Sequence, residues 1–239
     1  MSEQANDPVQ PLGFAVSGWS ARRRPPHSPI QGRYCRVVSF DPRQHAHDLY
    51  NANSQDQEGR MWTYLAYGPF RTLQEYFAEM DRWLKQDWQI HAILDEKTGS
   101  AVGLASYMRV EPEAGSIEVG AIMYSPLLQR TPAGTEAMYL LMRRVFDELG
   151  YRRYEWRCNA LNQNSVNAAK RLGFQFEGIF RQSQVLKGRN RDTAWFSIID
   201  SEWPRLKVAF ETWLAPQNFD GSGRQLRSLT EVRDLDYCI

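Results

Sequence analysis

The segment between residues 127 and 137 has the composition of a loop that binds an anion through its backbone. It reads Leu-Leu-Gln-Arg-Thr-Pro-Ala-Gly-Thr-Glu-Ala and joins a predicted strand to a long predicted helix. Small residues let a ligand approach the backbone, and the N–H groups of a first helical turn have no partner within the helix, which suits a pyrophosphate. An ordinary strand-to-helix turn offers the same N–H groups and stays an alternative. The sequence lacks the Gly-Lys-Ser/Thr of a P-loop and the G-x-G-x-x-G fingerprint.

A second strand-to-helix junction follows at residues 162–165, which read Asn-Gln-Asn-Ser, and its helix ends in the Leu-Gly-Phe of residues 172–174. Asn and Ser side chains accept hydrogen bonds from the free N–H groups of a helix N-terminus, so a structural cap explains them without a ligand. A cap does not explain why two such junctions follow one another in this order. Their order along the chain is therefore informative about function.

The elements that must position these two junctions form a mixed sheet. Asp41 and Thr72 are predicted N-caps, and the long helix at residues 135–149 is expected to stop at Gly150. Period-two patterns predict strands and period-3.6 patterns predict helices. The predicted strands are 31–40, 89–95, 101–109, 116–124, 151–158, 174–180, 181–187 and 193–199; the predicted helices are 43–52, 72–87, 135–149, 165–172 and 203–214. Residues 1–30 are expected to be an extended arm, 31–215 the domain, and 216–239 a polar extension with little core of its own.

The composition is that of a globular protein without a strong charge bias. The 239 residues include 29 Lys and Arg and 28 Asp and Glu, a formal charge of +1, which excludes binding to nucleic acid by bulk electrostatics. Three dispersed cysteines, Cys35, Cys158 and Cys238, suit neither a disulfide framework nor a metal site, so free thiols in a reducing compartment are expected. No apolar run is long enough to cross a membrane, and the first residues lack a signal-peptide pattern, which makes the cytoplasm the expected location.

Together, the two junctions resemble the GNAT acetyltransferase superfamily. Its pyrophosphate loop, Gln/Arg-x-x-Gly-x-Gly/Ala, is similar to residues 129–134, and its second signature is similar to residues 162–165 followed by Leu-Gly-Phe and by Glu177-Gly178. Residues 180–197 are similar to the branch of ribosomal-protein N-terminal acetyltransferases. The resemblance covers about residues 33–205 and has two departures: Pro132 replaces the first loop glycine, and Ala169 stands where many members carry a general-acid Tyr.

This resemblance implies an α/β (α+β) fold: the GNAT acyl-CoA N-acyltransferase fold, with a mixed, mostly antiparallel sheet, splayed central strands and flanking helices. It implies acetyl-CoA as co-substrate and no metal. The strand 119–124 would hold the pantetheine through its backbone, and the loop would hold the pyrophosphate through its N–H groups. The implied cofactor-binding residues are Ile122, Met123, Tyr124, Gln129, Arg130, Thr131, Ala133, Gly134, Thr135, Glu136, Asn162 and Ser165.

The resemblance also implies a direct transfer of an acetyl group to a primary amine. Glu118 is the first candidate for general base and Glu155 the second, although either could be a strand glutamate that faces solvent. The N–H of Met123 would polarise the carbonyl, and Ser165 would protonate or stabilise the leaving thiolate. A non-catalytic acyl-CoA-binding module of the same fold is the alternative.

The acceptor stays open in the sequence. A protein N-terminus and a small amine both fit, because specificity lies in the site rather than in the fold. The aromatic residues between 62 and 88 either line an acceptor pocket or form a plain core. A homodimer is possible, whereas a membrane partner and strong nucleic-acid binding are not expected; three consecutive arginines, Arg22 to Arg24, are too few to dominate such binding.

Overall fold

The computed structural model describes residues 10–235. Eight strands form one sheet in the order β1-β2-β3-β4-β5-β6-β8-β7. Every neighbouring pair is antiparallel except β5 and β6, which are parallel. The predicted mixed, mostly antiparallel sheet is thus confirmed. The strands are β1 (Ile30–Gln31), β2 (Cys35–Ser39), β3 (Gln89–Asp95), β4 (Ala101–Glu111), β5 (Ser116–Tyr124), β6 (Arg153–Asn159), β7 (Gln175–Leu186) and β8 (Arg189–Ile199).

Helices cover both faces of this sheet, and two of their predicted caps are confirmed. The Asp41 carboxylate accepts from the N–H of Arg43 at 2.9 Å, and the hydroxyl of Thr72 accepts from the N–H of Glu75 at 3.1 Å. The α-helices are α1 (Pro42–Asn53), α2 (Leu73–Trp83), α3 (Pro132–Arg143), α4 (Gln163–Arg171), α5 (Trp203–Leu214) and α6 (Leu229–Leu235). A π-helical turn, Arg144–Glu148, continues α3, and short 3₁₀ turns lie at Arg60–Trp62 and Pro216–Asn218.

The prediction of three separate strands after residue 174 is wrong. The chain makes one long hairpin of β7 and β8, joined by Lys187 and Gly188, which have φ angles of 49° and 72°. Two consecutive residues with positive φ are the geometry of the tight turn that joins twisted strands. A register shift between Phe180 and Gln184 accommodates the irregular middle of β7. The predicted break at residue 180 is therefore an irregularity within one strand.

Two apolar clusters pack on opposite faces of the sheet. Ile93 of β3 belongs to the larger cluster, which is covered by α3 and α5, whereas its neighbours Ala92 and Leu94 belong to the smaller cluster, which is covered by α1 and α2. This alternation is what a strand buried on both faces requires. The smaller cluster ends at β5, so the face of β6, β8 and β7 on that side is not covered by α1 or α2.

Both extensions pack on this same subunit. Trp19 donates its indole N–H to the carbonyl of Glu113 at 2.9 Å, and Leu229 and Val232 are buried in the larger cluster. Trp19 thus anchors the arm on the domain, while Phe14 is 81% exposed. Cys35 and Cys158 are buried free thiols, and Cys238 lies outside the described residues.

Candidate active site

The sheet opens between β5 and β6. Their parallel pairing runs from Ser116–Arg153 to Val119–Trp156 and then stops, although β5 continues to Tyr124. A bulge accompanies the opening: Ala121 has a φ of 47°, and three steps on β5 match two steps on β4 there. The last residues of β5 therefore present a backbone edge that is not paired with β6.

The loop after β5 leads directly into the N-terminus of α3. Thr131 is the N-cap; its hydroxyl donates to the carbonyl of Leu128 at 2.7 Å and accepts from the N–H of Gly134 at 3.2 Å. Pro132 takes the first helical position, where an N–H would have no helical partner, so it costs the helix no hydrogen bond. By position, the N–H groups of Thr131 and Ala133 have no i−4 partner inside the helix.

Other loop residues hold the turn rather than offering free donors. The Gln129 N–H bonds to the carbonyl of Ser125 at 3.0 Å, and its side-chain amide donates to the carbonyl of Tyr124 at 2.7 Å. The Tyr124 hydroxyl donates to the carbonyl of Gly134 at 2.9 Å. Burial raises the pKa of Tyr124 above its usual range. Gln129, Tyr124 and Gly134 thus shape the loop against the end of β5.

Two other predicted residues act through their side chains. Thr135 accepts a hydrogen bond from Arg171 of α4 at 3.0 Å. The Glu136 carboxylate accepts from the N–H groups of residues 33, 34 and 35 at 2.8, 2.6 and 2.9 Å. Both lie beyond the free N–H groups of the first helical turn. Their side chains tie α3 to α4 and to the start of β2.

The second junction places Ser165 beside β6. Asn162 caps α4 by accepting from the N–H of Ser165 at 3.2 Å. The Ser165 hydroxyl oxygen accepts from the indole N–H of Trp156 at 3.0 Å, so its own proton is not used by that bond. Ala169, one turn further on, is fully buried. The helix therefore presents a serine hydroxyl, and no tyrosine, beside the end of β6.

Glu118 lies on β5 before the opening, directly beside Glu155 in the register. Its carboxylate receives Arg109 at 2.8 and 3.3 Å and also contacts the guanidinium of Arg157. The residue is only 3% exposed. Burial raises the pKa of Glu118 to about 7, although the guanidinium of Arg109 acts in the opposite direction. A carboxyl group with that pKa can accept a proton near neutral pH.

Comparison with known proteins decides the family. The model of the acetyltransferase (GNAT) domain matches residues 38–175, more than half of the chain and both junctions. The chain belongs to the GNAT acetyltransferase family. Its α/β fold is that of GNAT structures, as predicted.

Solved structures support this over nearly the whole length. A GCN5-related N-acetyltransferase from Brucella melitensis is 45% identical, with a TM-score of 0.89, over 92% of this chain and 100% of that one. A probable GNAT-family acetyltransferase from Chromobacterium violaceum is 36% identical, with a TM-score of 0.76, over 83% and 99%. A curated relative, the uncharacterized N-acetyltransferase p20 of Bacillus licheniformis, is 28% identical over 116 residues, 47% of this chain. The match spans 62% of that relative's length.

The second carboxylate of this GNAT site is tied into a network. Glu155 is paired with Arg153 at 2.7 Å, and Arg153 also binds Glu177 at 2.6 Å. The hydroxyl of Ser197 donates to Glu177 at 2.6 Å. The hydrogen bond to Arg153 is the main reason that the pKa of Glu177 lies below its usual value. Glu155 is thus held in the network of Arg153 and Glu177, whereas Glu118 is held by Arg109 and Arg157.

The structure also shows residues that the sequence analysis missed. Arg109 and Arg157 flank Glu118, and Arg157 stacks 4.0 Å from the ring centre of Trp195. Lys187, at the tip of the β7–β8 hairpin, donates to the carbonyls of residues 62, 67 and 68 at 2.9, 3.3 and 3.0 Å. Because side chains two positions apart on a strand lie on the same face, the sequence of β6 indicates that Arg157 shares a face with Glu155. Lys187 carries no such signal, because its partners are more than 100 residues away.

Two further findings bear on the class of site. Within residues 10–235, no group of three or more His, Cys, Asp and Glu side chains is placed to hold a metal ion. None of the helices described is both long and apolar enough to span a bilayer.

Proposed function

We propose that this GNAT protein transfers an acetyl group from acetyl-CoA to a primary amine, by direct attack of the amine in a ternary complex. The observation that carries the proposal is the opening of the sheet at β5. It lies between free N–H groups at the start of α3 and a buried carboxyl group, Glu118, with a pKa of about 7. Acetyl-CoA would supply the acetyl group as a thioester.

The residues present fit this co-substrate. The N–H groups of Thr131 and Ala133, aided by Arg130 and the helix dipole, are suited to the pyrophosphate. The edge of residues 122–124 that is not paired with β6 can bind an extended amide chain such as pantetheine, and Asn162, the N-cap of α4, would contact that chain from the side of β6. Thr135, Glu136, Gln129 and Gly134 support this surface through the bonds described above.

The chemistry assigns a role to each of two side chains. Glu118 would take the proton that the amine must lose in order to attack, directly or through a water. The N–H of Met123 would stabilise the charge on the carbonyl oxygen. As the new C–N bond forms and the C–S bond breaks, the hydroxyl of Ser165 would protonate the leaving thiolate or stabilise it by a hydrogen bond. Glu155 would keep Arg153 in place and is the weaker candidate for base.

Release of the CoA thiol during incubation with acetyl-CoA and a panel of amines tests the activity, and Glu118→Gln tests the base. We expect kcat to fall by roughly 10²–10⁴-fold and the limb of the pH–rate profile near pH 7 to disappear. Binding of acetyl-CoA should not change. Glu155→Gln is the matched control, since it removes the neighbouring carboxylate on the same face. An unchanged pH–rate profile in Glu118→Gln would exclude Glu118 as the base. If no amine causes release of the CoA thiol, the proposed activity is refuted and the alternative, a non-catalytic acyl-CoA-binding module, is favoured.

A peptide N-terminus, as in the ribosomal-protein acetyltransferases, and a small amine are both acceptors that this mechanism serves. We place the reaction in the cytoplasm because Cys35 and Cys158 are free thiols, as in proteins of reducing compartments. A homodimer is compatible with this mechanism, and sedimentation of the pure protein measures it.

A further inference from the structure

A cavity of about 300 Å³ lies beside the C-terminus of α1, below the segment that links α1 to α2. It is on the face of the sheet that carries Glu118, because Met123 and Leu104 of that face belong to the smaller apolar cluster together with Tyr76 and Trp62. Its volume is at the lower end for sites that bind small molecules. The lining residues are Tyr50, Asn53, Ser54, Asp56, Gln57, Glu58, Gly59, Trp62, Pro69, Phe70 and Tyr76.

Asn53 gives this cavity an acceptor with no donor. Its side chain is 5% exposed, and its Nδ2 donates to the Tyr76 hydroxyl at 3.0 Å. The same Nδ2 lies 3.6 Å from the sulfur of Met123, and a thioether sulfur accepts but does not donate, so the nitrogen of the amide is on that side. This fixes the orientation of the amide. The Oδ1 of Asn53 is then left buried without a hydrogen-bond partner.

The rest of the lining favours a positive charge. Four aromatic side chains line the cavity, those of Tyr50, Trp62, Phe70 and Tyr76, and aromatic rings attract cations. Asp56 and Glu58 add two carboxylates, and the lining contains no Lys, Arg or His. One carboxylate oxygen of Asp56 accepts a hydrogen bond from the N–H of Met61 at 2.7 Å.

The nearby cationic side chains, Arg60 and Lys187, do not occupy the cavity. Arg60 pairs with Glu58 at the surface, where their side chains are 79% and 64% exposed. Lys187 is engaged with three backbone carbonyls on the same segment. Neither residue lines the cavity. The group that would complete this site is therefore an N–H donor with a positive charge and an apolar stem.

We propose that this cavity binds a second, non-reacting cationic group of the acceptor, so that the substrate is an amine that carries another ammonium-type group on an apolar stem. The inference rests on the proposed function, since it names the acceptor of that site. Met123 connects the two places: its sulfur contacts Asn53 and Tyr76 at the cavity, and its backbone belongs to the open end of β5. An acceptor held in the cavity thus lies next to the strand at which the thioester would be bound.

Amines that differ only in the charge at their far end test the proposal. The probes are 1,5-diaminopentane, 5-amino-1-pentanol and 5-aminopentanoate, with the matching eight-carbon set. We expect the lowest KM for a diamine, at least ten times lower than for the amino alcohol of equal length. Asp56→Asn keeps an oxygen that can accept from Met61 but removes the charge, so it should raise KM for the diamine about tenfold. KM for acetyl-CoA and for the amino alcohol should stay unchanged, and Glu113→Gln, on an exposed turn, is the matched control.

Each other outcome decides against the proposal or against its premise. Equal KM values within a set would overturn it. Preference for the aminopentanoate would overturn it in favour of an anionic acceptor, held by the arginines around Glu118. Calorimetric titration with 1,5-diaminopentane in the presence of CoA tests the cavity separately from the proposed acetyltransferase activity. Binding that Asp56→Asn weakens tenfold, without turnover of any amine, would refute the proposed activity and uphold the cavity; an absence of binding would refute the cavity itself.

Discussion

Glu118 and Glu136 are both buried glutamates, yet their partners give them different roles. Glu118 is held by guanidinium groups and has a pKa of about 7, which suits proton transfer. Glu136 receives three backbone N–H groups from residues 33–35 across 101 to 103 positions of sequence. Its surroundings are those of a structural clamp. Residue type alone does not distinguish these roles, and the partners do.

Replacing Glu136 by Ala should lower the free energy of unfolding by about 3 kcal/mol. The change leaves three N–H groups without their acceptor, one of them buried and two half-buried. Loss of the acceptor of a buried N–H costs on the order of 1–3 kcal/mol, and less where water can replace it. Urea unfolding measures the effect. Glu113→Ala, at an exposed position, should change stability by less than about 0.5 kcal/mol. Equal stability of the two variants would show that residues 33–35 need no anchor.

His91 should make the protein less stable at acid pH. It is 1% exposed on β3, and burial, aided by Arg144, lowers its pKa to about 4. The unfolded chain binds a proton near pH 6.5 and the folded chain does not, so stability falls as pH drops from about 6.5 towards 4. Between pH 7 and pH 5 this amounts to roughly 2 kcal/mol.

The variant His91→Phe isolates this contribution. Its stability should depend less on pH than that of the wild type over that range, as measured by urea midpoints at pH 7 and pH 5. His47→Gln, which changes an exposed histidine of α1, is the control. An identical pH dependence of His91→Phe and wild type would show that His91 becomes protonated in the folded state.

At the scale of elements, the loop into α3 shows what local sequence can predict. The N-caps Asp41 and Thr72 follow from nearby residues, and so does the presence of a helix after this loop, although the pattern predicts its start at residue 135. The sequence did not place that start at Pro132, because periodicity marks apolar residues and the first turn has few of them. The sequence predicts two strands where the structure has the single strand β7. The irregularity near Gln182, which has a positive φ angle, has the local pattern of a turn, and the true turn, Lys187-Gly188, is only two residues long.

Lys187 should control how firmly the segment over the cavity is held. It binds three carbonyls of residues 62–68 from the tip of the hairpin, and a charged donor typically contributes more than a neutral one. In Lys187→Met we expect faster amide hydrogen exchange in residues 60–70 and a KM for the acceptor raised several-fold, with KM for acetyl-CoA unchanged.

Arg189→Met is the control for this prediction, because it changes an exposed cation two positions away in the same hairpin. If both variants exchange at the same rate as the wild type, the hairpin does not restrain this segment.

At the scale of the whole molecule, the arm is part of the fold. Arg144 is 3% exposed, and its guanidinium donates to the carbonyls of Pro26, Ser28 and Pro29 at 3.4, 2.7 and 3.4 Å. The sequence of the arm has no apolar periodicity, so it gave no sign of this contact. The partner, a buried arginine on a π-helical turn, comes more than 110 residues later. Contacts at such distances arise from the assembled sheet and not from local pattern.

Deletion of residues 1–29 should lower the melting temperature by about 10 °C. It removes these acceptors of a buried guanidinium, and breaking such a set costs about 3–5 kcal/mol, each of which shifts the melting temperature of a chain of this size by about 2–4 °C. Deletion of residues 1–13 ends before Trp19 and is the control, expected to melt within about 2 °C of the full chain. Equal melting of both truncated proteins would contradict a structural role of the arm.

The clamp by Glu136 also bears on the order in which this chain can fold as it is made. Residues 33–35 leave the ribosome about 100 residues before their anchor, a delay of roughly 5–20 seconds at common rates of synthesis. During that interval β2 can pair with β3, which leaves the ribosome before α3, but its inner side chains Cys35 and Val37 have no helix α3 to cover them. The nascent chain therefore exposes an apolar strand face until α3 has emerged, and this is the stage at which a chaperone would have most effect on its yield.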